Sequence, residues 1–166
     1  MFRAMLFLSL GFLAPCLPAA QSVKADSPFV SKRIAVARAL TVTLQQDSIE
    51  IAARSAGSGN LHALPSLEKT ISGDMRLTKE TIDELMEVQK IASAAQSEMI
   101  HRVTPLLRDL VDNTRNMLDH LTATPAEARS DKSPEYIEAH LEIAKHLTSL
   151  ILEAFDHGKE AASPRS

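Results

Sequence analysis

Histidine, methionine and carboxylate side chains at helical spacing are the first places to look for chemistry in this chain. Glu98-x-x-His101 has the Glu-x-x-His form that dimetal carboxylate bundles place on inward faces. Such centres use two copies of the motif and two further Glu, and here there is one copy. With 6 His and 12 Glu in 166 residues, chance alone supplies about 0.4 such motifs. Both residues also fall well away from the apolar face of their segment, which predicts a solvated pair. Met99, Met117, His101 and His120 together suggest Cu(I), which favours soft thioethers. The two methionines lie on the apolar stripe, where core filling is the commoner role.

His140 is the one histidine that the apolar periodicity places inside, with Tyr136 one turn earlier. As a structural residue it bonds to a Gln or Thr of a neighbouring helix. As a functional residue it is a metal ligand or a pH-sensitive group, and a ligand set needs further His, Asp or Glu converging on it. The centre of the apolar face of the longest helical segment is close to Gln89, Gln96 and Thr114. Buried polar groups need partners, because an unpaired one costs about 1–3 kcal/mol. These three either bond across a bundle and fix its register or line a groove for a ligand or partner segment. Gln89, Gln96, Thr114, Tyr136 and His140 are therefore the candidate groove residues.

Motifs for catalysis are sparse. The sequence has no G-x-S-x-G, Walker loop or H-E-x-x-H. Gly57-Ser58-Gly59 is too short to cradle phosphate. The formal net charge is -3, Trp is absent and Tyr136 is the only Tyr. No cluster of Lys and Arg offers a phosphate-binding surface, which argues against nucleic acid as a partner. The expectation is a non-enzymatic protein without a cofactor that acts by binding another protein or a ligand. The alternative is a Cu- or Zn-binding bundle centred on His140.

The start of the chain indicates where this happens. Arg3 precedes an apolar run from Ala4 to Leu13, Pro15 breaks it, and Pro18, Ala19 and Ala20 follow. That order is the layout of a cleavable secretory signal. The run is shorter than the roughly 20 apolar residues that cross a bilayer, so no transmembrane span is expected in the mature chain. Cleavage is expected after Ala20, with Ala19 and Ala25 as other ends. Leu13-Ala14-Pro15-Cys16 approaches a lipoprotein signal, but Pro15 stands where a small residue belongs, so a lipid anchor at Cys16 is the weaker reading. Cys16 is the only cysteine; a chain cut after Ala20 has no disulfide and no thiol nucleophile. No Asn-x-Ser/Thr sequon occurs. These features point to a periplasmic or secreted protein.

The organisation that must position these residues reads as a signal peptide over 1–20, a helical domain over 21–158 and a disordered tail over 159–166. Ser27-Pro28, Thr124-Pro125 and Ser133-Pro134 have the form of helix starts, since Pro at the first helical position loses no bond that would have formed. Thr124 also has Glu127 at the capping-box spacing. The first helix is expected from Pro28 to about Ala56, with Val30, Ile34, Ala37, Leu44 and Ile51 on one face and Gly57–Asn60 as the stop. A small hairpin over 40–51 competes, because apolar residues alternate with Thr there. Leu61 to Gly73 reads as a loop with one short helix after Pro65. Thr78 reads as the cap of a long helix reaching Leu121, with Pro105 kinking it near Arg102 or breaking it so that Thr104 caps a new helix. The last helix is expected from Pro134 to about His157, stopped by Gly158. Three long apolar stripes must shield one another. The expected fold is therefore all-α, an antiparallel three- or four-helix bundle with a Pro-kinked long helix.

Overall fold

A computed structural model of the chain describes residues 24–56, 64–123 and 133–162. The expected signal peptide, Cys16, the Gly57–Asn60 turn, the Thr124–Glu127 capping box and residues 163–166 lie outside the described residues. Among the described residues the secondary structure is helical: α1 (Pro28–Ala56), α2 (Leu64–Val88), a 3₁₀ turn (Gln89–Ile91), α3 (Ala94–Thr122) and α4 (Ser133–Ala162). No helix among them is long and apolar enough to cross a membrane.

The four helices form an all-α bundle. Paired residues give the directions. Ser27, just before α1, bonds to Gln96 of α3, and Ser48 of α1 meets Thr114 of α3, so α1 and α3 run parallel. Arg33 pairs with Glu84 of α2 and Arg38 with Asp156 of α4, so α2 and α4 run against them. Both α2 and α4 pack on α1 and on α3, and α1 also packs on α3. The second and fourth helices thus flank an α1–α3 pair.

The α1 stripe repeats every seven residues: Val30, Ala37, Leu44 and Ile51 are all fully buried. Between them, Thr41 and Ser48 face inward and return their hydroxyls to the carbonyls of Ala37 and Leu44, each at 2.9 Å. That local bond satisfies a small polar group and keeps its volume low. Helix prevails over the hairpin at 40–51 because Leu44 and Ile51 lie on one face at this period, where a strand would alternate faces.

Three expected boundaries are corrected. Residues 64–73 belong to α2, because Leu67, Ile71 and Met75 continue the buried stripe of Ile82 and Leu85 at helical spacing. Thr78 lies inside that helix, with its hydroxyl donating to the Asp74 carbonyl at 2.8 Å. The expected long helix is divided at Gln89–Ser93, not at Thr104: Ser93 caps α3 and forms a capping box with Gln96. Pro105 lies within α3, which continues through it, its ring on the exposed side. The last helix passes Gly158 and ends at Ala162.

Candidate functional site

The candidate groove residues separate into two ends and a middle. Gln96 is buried where α1 and α3 begin. Its Oε1 accepts from the backbone N–H of Ser27 (3.0 Å) and of Ser93 (3.1 Å). Its Nε2 donates to the Ser27 carbonyl and to Ser31 Oγ, both at 3.0 Å. Every bonding position of this amide is thereby given to helix ends, so Gln96 joins the starts of α1 and α3. Ser93 Oγ also donates to Asp26, which draws the segment before α1 into the same joint. Thr114 is fully buried mid-bundle, where its hydroxyl donates to the Leu110 carbonyl (2.9 Å) and lies 3.3 Å from Ser48 Oγ.

Tyr136 and His140 stand at the opposite end, where α3 finishes and α4 begins. His140 is half-buried and Tyr136 is exposed. Asn113 Nδ2 donates to the His140 carbonyl at 2.9 Å, so its Oδ1 is the acceptor towards His140 Nδ1, at 2.6 Å. The Nδ1–H tautomer follows, leaving Nε2 as the basic nitrogen. The expected partner type, Gln or Thr, is thus replaced by Asn113. The Tyr136 ring lies between two imidazoles, with centroids 4.2 Å from His120 and 4.3 Å from His140. Burial, and then the charge of His120, hold the His140 pKa below its ordinary 6.5. Among the described residues, no three His, Cys, Asp or Glu side chains converge as metal ligands. Glu98 and His101 are exposed, Met99 and Met117 are buried in the core, and Lys145 pairs with Glu142 at 2.6 Å.

Gln89 lines an open groove. This groove, about 300 Å³, runs between the end of α2 and the middle of α3. Met86 and Gln89 form one wall, and Ile100, His101, Thr104, Pro105 and Arg108 form the other. Gln89 Nε2 donates to Ser97 Oγ at 3.1 Å. Arg108 approaches the Met86 sulfur, and Met86 is 48% exposed. Pro105 offers no N–H to the His101 carbonyl one turn back. The Thr104 hydroxyl is buried without a hydrogen-bond partner. A second depression of about 310 Å³ continues along the same helix pair, lined by Lys79, Ile82, Asp83, Arg108, Val111 and Asp112. Its carboxylates, Asp83 and Asp112, are both exposed. Sequence periodicity missed Met86, Thr104 and Arg108 as groove residues. The usable signal was Ser93-x-x-Gln96, which marks the break that opens the groove beside it.

One buried carboxyl lies elsewhere. Asp47 of α1 is 7% exposed, its Oδ2 has no hydrogen-bond partner, and its pKa is pushed up to about 7. Burial is the main cause, and the neighbouring charges of Asp74 and Glu50 add to it. Comparison with protein-family models, with curated proteins and with solved structures finds no match for this chain.

Proposed function

We propose that this chain is an exported, non-enzymatic helical bundle that acts by binding another protein, in a periplasmic accessory, chaperone-like or immunity-type role. The observation that carries this reading is the α2–α3 groove. It combines apolar walls from Met86 and Ile100 with an amide, an imidazole and a guanidinium at its edges. That mixture suits an apolar side chain from a partner segment, with an acidic neighbour reaching Arg108. Export rests on the order of residues at the start of the chain.

A photoreactive residue at Met86 in the exporting cell tests the binding site, with the same residue at exposed Lys145 as control. The expected result is an adduct specific to Met86 that Arg108→Glu removes while the helical signal is unchanged. Equal labelling from both positions, or none from Met86, overturns the groove. The mass of the mature N-terminus tests export separately, with Gln21 expected as the first residue.

A further inference from the structure

We propose that the outward face of α1 is a self-association surface, on which a second copy of this chain docks antiparallel about a twofold axis. Most amphipathic helices turn polar residues to solvent. On its outward side α1 carries Ala35, Ala39, Val42, Gln46, Ile49 and Ala53, all exposed. Their spacing alternates four and three residues, the seam of a two-stranded coiled coil. Val42 is 43% exposed and Ile49 38% exposed, so both keep much of their apolar surface in water. The stripe is also uncharged along its length. The flanking Arg33 and Arg38 turn sideways onto Glu84 of α2 and Asp156 of α4, at 2.6 and 2.7 Å.

Charge at the two ends of the stripe selects the partner and its direction. Exposed Lys32 marks one end and exposed Glu50 the other, where Glu50 Oε1 already accepts from Arg54 at 2.7 Å and leaves Oε2 for a second cation. A parallel copy would set Lys32 against Lys32 and Glu50 against Glu50. An antiparallel copy brings Lys32 to the Glu50 end twice, once in each direction. The same operation places Val42 opposite Ala39, Gln46 opposite Ala35 and Ile49 against the aliphatic stem of Lys32, so Val42 and Gln46 each meet a small side chain. Such pairing lets the backbones approach closely. The seam from Lys32 to Ala53 is about 33 Å long, and the surface is complementary to itself, as a twofold interface requires. This inference does not depend on the α2–α3 groove, which lies on other helices.

The mass of the purified protein by sedimentation, under reductant and from micromolar to submillimolar concentration, tests it. The expected result is a rise with concentration to twice the chain mass. Val42→Glu, at an exposed position, is expected to hold the protein monomeric with its circular dichroism unchanged. Lys32→Glu is expected to weaken association about tenfold. Adding Glu50→Lys to it restores association, because the pair is then reversed and intact. A monomer throughout, including one in which the chain's own N-terminal segment covers the stripe, overturns the proposal. So does a dimer that survives Val42→Glu, or a double reversal that fails to restore what Lys32→Glu removed.

Discussion

Asn113 and His140 grip each other at two points across the α3–α4 interface. The Asn113 amide donates to the His140 backbone carbonyl at 2.9 Å, and its oxygen meets His140 Nδ1 at 2.6 Å. Truncating Asn113 leaves the imidazole N–H without its partner in a half-buried setting. Asn113→Ala is expected to lower unfolding stability by about 1–3 kcal/mol, read as a fall in the urea midpoint. Asn113→Asp keeps an acceptor and is expected to recover part of the loss.

The same imidazole gives one pH dependence. The His140 pKa is lowered in the folded state, by burial first and the His120 charge second. The unfolded chain then binds more protons than the folded one between the folded pKa and 6.5. Stability from this group is present above pH 6.5 and is lost as pH falls through the folded value. Imidazole titration by NMR is expected to show a His140 midpoint below 6.5 that moves up in His120→Gln.

Asp47 acts with the opposite sign. Its pKa rises from 3.8 in the unfolded chain to about 7 in the fold, so the folded state binds the extra proton. Its stabilising contribution is present below pH 3.8 and is lost as pH rises through 7. Asp47→Asn removes the charge that must be buried. The variant is expected to exceed the parent by about 2–3 kcal/mol at pH 8.5, with little difference at pH 4. Denaturation at the two pH values checks both halves.

Gln96 and Gln89 separate structure from binding. Gln96→Ala breaks the bonds to Ser27, Ser31 and Ser93 together. It is expected to destabilise the protein by about 2–4 kcal/mol and to speed hydrogen exchange at the start of α1. Gln89→Ala removes one half-buried bond to Ser97 and is expected to cost under about 1 kcal/mol while reducing the Met86 adduct. If Gln89→Ala lowers stability as much as Gln96→Ala and leaves the adduct intact, the groove has no binding role.

The helices whose stripes repeat cleanly were legible in the residues. Val30, Ala37, Leu44 and Ile51 define α1, and Ile137, Ala144, Ile151 and Phe155 define α4; all eight are buried. The start of α2 was obscured by Gly73, read as loop material, although Leu67, Ile71 and Met75 already carried the period. Pro105 drew attention as the place to divide the long segment. A helix tolerates that proline when its neighbours hold the turn, and α3 continues through it. The true division at Gln89–Ser93 has neither Gly nor Pro; its mark is the Ser93–Gln96 capping box. The stripe left Gln96 either bonding across the bundle or lining a groove; it bonds across, as an amide between two helix starts. Asn113 escaped notice as the partner of His140 because pairing across a bundle depends on the register of two helices, which one helix's period does not contain.

Thr41, Ser48 and Thr114 also shape how this scaffold can change. Their small side chains let α1 settle against α3, and Leu44, Leu107, Leu110 and Met117 fill the space around them with no exposed surface. With this part of the interior closed by tight contacts, the binding role proposed above falls to the surface. Residues such as Met86, Arg108 and Val42 can be exchanged without disturbing that closed interior, so a lineage could redirect the bundle to a new associate while its architecture stays fixed.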